Sequence, residues 1–138
     1  METGYKEFQS LSFASTIDNL SIAESLIDEV CREYSVQEDH YGNVLIAVTE
    51  AVNNAIKHGN KNNMDKRVRL SVEGVNGELK FIISDQGNGF DYDNLPDPTA
   101  PENIERESGR GIFLMRSLAD DVEFRNNGSE VVLTFSQS

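Results

Sequence analysis

The spacing of apolar positions changes twice in the first 60 residues. Phe8, Leu11 and Phe13 approximate the alternation of a strand. Apolar and aromatic positions at helical spacing follow: Leu20, Ala23, Leu26, Ile27, Val30 and Tyr34. Ser35-Val36-Gln37-Glu38 then has the spacing of a capping box and predicts the start of a second helix. Its apolar positions are Leu45, Val48, Val52 and Ile56, and Gly59 can close it.

Alternating apolar residues return over 68–72 and 79–83, and Asn76-Gly77 between them predicts a tight hairpin. Residues 86–108 contain three prolines and little periodicity, which is typical of a functional or disordered loop. We interpret about 91–108 as a lid. A short helix through Ile112 and Leu118 and two strands, over 122–125 and 130–135, complete the chain. The predicted order is β-α-α-β-β-lid-α-β-β.

Composition narrows the class of protein. The chain has 138 residues, which predicts a single domain over 1–138 with a core of its own. Its formal charge of -12 argues against nucleic acid and anionic membranes as partners. The first residues are polar and acidic, and the longest apolar runs are too short to span a bilayer, so we expect a cytoplasmic protein. The single cysteine, Cys31, lies beside apolar helical positions and is interpreted as a core residue.

The second predicted helix carries an acid and an amide on one face. Glu50 and Asn54 are four residues apart, about 40° around a helix, opposite its main apolar stripe. One interpretation is a solvated helix side. The other is an enclosed functional pair, which small neighbours such as Ala47 and Ala51 favour. A carboxamide oxygen fits Mg²⁺ that is held mostly by phosphates and water.

Two glycine segments flank the predicted lid, Asp85-Gln86-Gly87-Asn88-Gly89 before it and Gly109-Arg110-Gly111 after it. Neither completes a dinucleotide or P-loop fingerprint, and each alone could be an ordinary turn. Together with the Glu50/Asn54 helix they indicate the walls of one site. The second segment, at the start of a helix, would offer free N–H groups to phosphate. Nearby cations that could assist are Lys57, Arg106 and Arg110.

These three motifs resemble the N, G1 and G2 boxes of the GHKL (Bergerat-fold) ATPases, the superfamily of gyrase, heat-shock chaperones, histidine kinases and mismatch-repair proteins. The short chain is most similar to anti-sigma-factor serine/threonine kinases and their histidine-kinase-like ATPase relatives. The resemblance covers nearly the whole chain. It implies an α/β (α+β) two-layer sandwich, with helices covering one face of a mixed, largely antiparallel five-stranded sheet.

The resemblance also implies roles for individual residues, with ATP and Mg²⁺ as ligands. Glu50 would be the general base, Asn54 would help hold Mg²⁺, and Asp85 would accept a hydrogen bond from the adenine amino group. The glycines would shape the adenine pocket (Gly87 and Gly89) and the phosphate site (Gly109 and Gly111). Thr134 would support the adenine site, and Lys57 would be a further nucleotide-binding residue. An arginine near the γ-phosphate would be either Arg106 or Arg110.

The implied activity is transfer of the ATP γ-phosphoryl group to a serine or threonine of an anti-sigma-factor antagonist of the STAS type, with a sigma factor as a second partner. One alternative is a nucleotide-dependent binding module that transfers little phosphate. Another is a stand-alone histidine-kinase-like ATPase that acts on a separate phosphoacceptor domain. The oligomeric state stays open, a homodimer included.

Overall fold

The computed structural model describes residues 7–75, 77–87 and 107–136. Five strands have the bounds β1 Glu7–Ala14, β2 Arg67–Val75, β3 Glu78–Ser84, β4 Asp121–Arg125 and β5 Glu130–Ser136. Three α-helices have the bounds α1 Leu20–Glu33, α2 Glu38–Asn54 and α3 Glu107–Leu118. Short 3-10 turns lie at Ile17–Asn19 and Asn126–Gly128, and a π-helical turn lies at Ala55–Gly59. The predicted elements that fall in these ranges are confirmed.

The strands form one sheet in the order β1-β2-β3-β5-β4. All neighbouring pairs among the described strands are antiparallel, so the sheet that they form is antiparallel rather than mixed. β2 and β3 form a hairpin in which Val75 pairs with Glu78, and Gly77 before Glu78 adopts a positive φ of 82° that favours glycine. The sequence-based prediction of a five-stranded α+β sandwich is therefore confirmed.

The helices cover one face of the sheet, as predicted. Val68, Leu70 and Val72 of β2 share a buried core with Leu79, Phe81 and Ile83 of β3, and with the apolar sides of α1 and α2. The opposite sheet face carries polar contacts such as Ser10 Oγ to Ser71 Oγ at 3.2 Å and Ser84 Oγ donating to Glu130 Oε1 at 3.3 Å. Ser71, Val132 and Thr134 on this face are nevertheless buried.

The capping-box prediction at Ser35 is wrong. Helix α2 begins at Glu38 with Gln37 as its N-cap residue, and no side chain caps it. Ser35 instead ends α1: its φ is 55°, and the Val36 N–H donates to the Cys31 carbonyl at 2.8 Å. This is the left-handed, 6→1 hydrogen-bonded ending that helices commonly use. Only four residues separate α1 from α2, and Ser35 takes part in the end of α1 rather than in the start of α2.

The long second helix does run to Gly59, but its last turn is not α-helical. Residues 55–59 form the π turn, and the Asn60 N–H donates to the Ala55 carbonyl five residues back at 2.8 Å. Such π turns often occur at functional sites.

The predicted lid, about 91–108, lies outside the described residues except for 107–108, which already belong to α3. In the described part of the chain, none of the helices combines the length and the apolar character needed to cross a bilayer.

Candidate active site

Helix α2 presents Glu50 and Asn54 to the first turns of α3. A Cβ atom built on Gly111 would lie 3.0 Å from Glu50 Oε2 and 3.1 Å from Asn54 Nδ2. Both side chains are partly buried. The acid and the amide therefore face another helix at close range, which argues against a simple solvated helix side. Gly111 allows this approach because it has no side chain.

The carboxamide oxygen of Asn54 is buried and has no hydrogen-bond partner within the described ranges. A buried acceptor without a partner costs free energy, so it usually serves a ligand or water. A neutral amide oxygen beside a carboxylate suits a hard cation such as Mg²⁺. The donors present on α2 therefore fit the implied metal.

The end of the same helix meets the end of β3. A Cβ atom on Gly59 would lie 2.3 Å from Asp85 Cγ, and a Cβ atom on Gly87 would lie 2.0 Å from the Gly59 carbonyl oxygen. The two glycines thus let two backbone segments and one carboxylate pack where larger residues could not. Gly59 lies five residues after Asn54, roughly 7 Å along the helix axis, so both groups of residues belong to one side of the sandwich.

Asp85 makes one hydrogen bond through its backbone and one through its side chain. Its N–H donates to the Ser129 carbonyl at 2.9 Å, and its Oδ1 accepts from the Gly87 N–H at 2.8 Å. Burial raises the pKa of the Asp85 carboxyl, while the Gly87 hydrogen bond and the charge of Lys66 lower that pKa in part. A partly buried carboxylate at a strand end can accept a hydrogen bond from a ligand N–H.

The second glycine segment lies within the first turns of α3, where Gly109 and Arg110 precede Gly111. The first four N–H groups of a helix lack intrahelical acceptors and carry a partial positive charge. Arg110 is exposed beside them. The start of α3, at Glu107, thus lies one turn from the contact of Gly111 with Glu50 and Asn54, and its N–H groups could bind an anion. Gly89 and Arg106 lie outside the described residues.

Lys57 lies in the π turn, between Asn54 and Gly59, and is partly buried. It is thus close along the chain to both groups of site residues.

Thr134 is not brought to this site. On β5, Val131, Leu133 and Phe135 belong to the core on the helix-covered face, so Thr134 lies on the opposite face. It pairs with Lys80, whereas Asp85 is bonded to Ser129, which directly precedes β5 and lies five residues before Thr134. The alternation of β5 could have indicated this face.

Asn60 was missed by the sequence analysis. It is 1% exposed and makes side-chain hydrogen bonds to three other segments of the chain. The only indication in the sequence was its position directly after Gly59. An asparagine on the surface could occupy the same position, so the sequence does not distinguish the two.

Comparison with known proteins agrees with this geometry. The family model of the histidine kinase-like ATPase domain matches residues 13–135, a range that holds both groups of site residues. The chain belongs to the histidine kinase-like ATPase family. This confirms the resemblance to the GHKL (Bergerat-fold) superfamily, and a histidine kinase-like ATPase domain is a domain that binds ATP.

Similar proteins narrow the branch of the histidine kinase-like ATPase family. The chain is 31% identical over 137 residues to the serine-protein kinase RsbW of Staphylococcus aureus strains JH9 and Newman, covering 94% of this chain and 86% of each relative. A solved structure of the RsbU and RsbW domains of Rv1364c from Mycobacterium tuberculosis matches with a TM-score of 0.61 and 14% identity. That match covers 95% of this chain but 32% of the other, and it supports the fold alone. The chain is thus an RsbW-like member of the family.

Proposed function

We propose that this single-domain protein is an ATP-dependent serine/threonine protein kinase whose substrate is an anti-sigma-factor antagonist of the STAS type. The observation that carries the proposal is the contact of Glu50 and Asn54 with Gly111 at the start of α3. This contact joins a carboxylate, an amide group and the first turns of a helix in one place. The relatives named serine-protein kinase support the reaction class.

Asp85 would bind the adenine end of ATP. Its carboxylate can accept the exocyclic amino hydrogen of adenine, whereas guanine presents a carbonyl at that position and would be repelled. The Gly87 N–H bonds the carboxylate and Gly59 leaves room for it, and Gly89 would contribute to the same pocket. The protein would therefore select ATP over GTP.

The phosphate end would lie between α2 and α3. The free N–H groups at the start of α3 around Gly109, with Lys57 and one of Arg106 and Arg110, would compensate the phosphate charge. Asn54 Oδ1 would help hold Mg²⁺. When bound, the metal would neutralise charge on the phosphate oxygens.

Glu50 would accept the proton of the attacking hydroxyl. The partner's serine or threonine oxygen forms a bond to the γ-phosphorus, the bond from that phosphorus to the bridging oxygen breaks, and ADP leaves. The proton passes to the Glu50 carboxylate. A sigma factor would be a second, non-substrate partner.

The test is a transfer assay with radiolabelled ATP and a purified STAS-type antagonist. Glu50→Gln keeps the shape of the side chain but cannot take the proton, so transfer should fall by roughly 10²-fold or more while ATP affinity changes little. Asp39→Asn is the matched control, an exposed acid in the first turn of the same helix. Undiminished transfer by Glu50→Gln would remove its role as base. Tight ATP binding by the wild-type protein without transfer would instead indicate a nucleotide-dependent binding module.

A further inference from the structure

Asn60 connects three segments around the proposed adenine site. Its Nδ2 donates to Ser15 Oγ at 2.6 Å and to the Arg67 carbonyl at 2.9 Å, and its Oδ1 accepts from the Gln86 N–H at 2.7 Å. Ser15 is fully buried and Asn60 is 1% exposed. Both N–H donors of this carboxamide and one lone pair of its oxygen are thus used, so its orientation is fixed.

The bond to Gln86 matters most for the site because Gln86 lies between Asp85 and Gly87. Asp85 Oδ1 accepts from the Gly87 N–H, and Gly87 lies against the Gly59 carbonyl. Asn60 directly follows Gly59. One residue therefore determines the distance between the end of the π turn and the turn that holds the Asp85 carboxylate.

A second hydrogen bond, from Arg67, holds the same turn at a more exposed position. The Arg67 N–H donates to Gln86 Oε1 at 2.6 Å, and the Arg67 carbonyl accepts from Asn60. Gln86 is thus bonded on its backbone by Asn60 and on its side chain by Arg67. Of these two contacts, the one from Asn60 is the more buried, so water competes with it less.

We propose that Asn60 is a positioning residue for nucleotide binding, which holds Gln86 so that the Asp85 carboxylate is aligned with the adenine amino group. The inference rests on the proposed function, because it needs Asp85 to be the residue that contacts adenine. It assigns to Asn60 control of both the affinity for ATP and the preference for ATP over GTP, without any contact of its own with the nucleotide.

The test compares Asn60→Ala with Ser15→Ala by nucleotide titration and thermal unfolding. Both variants remove buried hydrogen bonds of one network, and Ser15 also donates to the Lys66 carbonyl, so both should lower Tm. Only Asn60→Ala removes the bond to Gln86. It should lose roughly tenfold in ATP affinity and discriminate less against GTP, whereas Ser15→Ala should bind ATP as the wild type does.

Two further variants separate the effect of Asn60 on the position of Gln86 from its effect on the stability of the fold. Asn60→Asp keeps an oxygen for the Gln86 N–H but loses both Nδ2 donors, so it should lower Tm yet recover most of the ATP affinity. Should Asn60→Ala not fold, Asn60→Ser replaces it, because the serine hydroxyl is one bond shorter and leaves Gln86 without its partner. Hydrogen exchange without nucleotide should be faster at the Gln86 amide in the Ala or Ser variant.

The possible failures are distinguishable. A wild-type protein that binds no ATP, or binds GTP equally well, contradicts the proposed function and this inference with it. A folded Asn60→Ala or Asn60→Ser variant with wild-type affinity and selectivity contradicts the inference alone. Equal losses of affinity in Ser15→Ala and Asn60→Ala would show that the network acts only through stability, which also overturns it.

Discussion

Gly59 and Asp85 are packed so closely that a Cβ atom on Gly59 would lie 2.3 Å from the carboxyl carbon of Asp85. The two residues come from different layers of the sandwich, the end of the α2 segment and the end of β3. Because no positive φ is found at Gly59, its lack of a side chain is what the contact requires. The carboxylate keeps its place only while residue 59 is glycine.

Gly59→Ala should therefore displace Asp85 and weaken ATP binding by roughly tenfold or more, since the new methyl group meets the carboxyl at less than van der Waals distance. Isothermal calorimetry with a non-hydrolysable ATP analogue measures the loss. Gly42→Ala is the matched control: Gly42 lies inside α2 with nothing within 4 Å of an added Cβ, so alanine should stabilise the fold by about 0.5–1 kcal/mol. Equal affinities of the two variants would contradict the importance of the Gly59 contact.

Asp85→Asn should make the unliganded protein more stable at neutral pH while weakening ATP binding. Burial raises the pKa of Asp85, so the folded state holds that proton more tightly than the unfolded state. The carboxyl's favourable contribution is complete below its unfolded pKa and is lost as pH rises through its folded pKa. Asparagine carries no charge at any pH.

The free-energy difference between Asp85→Asn and the wild type should thus be small in acid and grow in favour of the variant as pH rises past the Asp85 pKa. Urea unfolding of both proteins at a series of pH values measures it. A difference in the free energy of unfolding that stays constant with pH would show that burial does not raise the pKa of Asp85.

Asn54→Ala should remove much of the effect of Mg²⁺ on nucleotide affinity. The buried Oδ1 of Asn54 has no partner among the described residues, and its loss as a ligand should cost roughly tenfold in affinity with Mg²⁺ present and less without it. Fluorescence titration of a labelled ATP analogue with and without Mg²⁺ gives both values. Asn43→Ala, an exposed asparagine of the same helix, should show the wild-type response. A full Mg²⁺ effect in Asn54→Ala would exclude Asn54 as a ligand.

Gly111→Ala should reduce phosphate transfer more than ATP affinity. Its methyl group would lie 3.0 Å from Glu50 Oε2, so the proposed base must shift by a few tenths of an ångström. Small misplacements of a catalytic group cost up to about 10²-fold in rate. Single-turnover transfer beside a binding titration separates the effects, with Ser117→Ala as an exposed control on α3. Transfer at the wild-type rate would show that the helix contact is not part of the reacting geometry.

Cys31 should react very slowly with a thiol reagent in the folded protein. Burial, and secondarily the charge of Asp28, raises the pKa of this thiol from 9.0 to about 11, which alone lowers the thiolate fraction near pH 8 about a hundredfold. The side chain is also only 4% exposed. Because the chain has a single cysteine, the reaction can be followed directly, with the urea-unfolded protein as reference. Rapid modification of the folded state would contradict its place in the core.

Local patterns predicted the elements because each depends on a few neighbouring residues. The hairpin at Asn76-Gly77 and the strand that ends before Asp85 follow directly from alternation and turn chemistry. Ser35 was misassigned because one residue had to serve two adjacent helices, and the sequence does not show which of them would use it. Thr134 was placed near adenine by resemblance, although its register opposite Lys80 sets it elsewhere.

The contacts that define the site were harder to predict because they join distant segments. Nothing in the residues around Asn60 distinguishes a buried bridge from a surface asparagine, since its partners Ser15 and Gln86 are 45 and 26 positions away. The approach of Gly111 to Glu50 likewise depends on how α3 packs on α2. Glycine at a close contact looks the same in sequence as glycine in a turn.

The π turn makes the number of residues between Asn54 and Asn60 as important as their identity. Residues 55–59 close a wider turn than an α-helix would, and His58 within it is exposed. Removing the exposed His58 would let the helix continue with regular α-helical hydrogen bonds, and Gly59 and every later residue would be rotated by about 100°. Gly59 would then point away from Asp85 while the apolar stripe of α2 stayed intact. Deletion of His58 is therefore expected to keep most of the packing of α2 while it removes the close contact between Gly59 and Asp85.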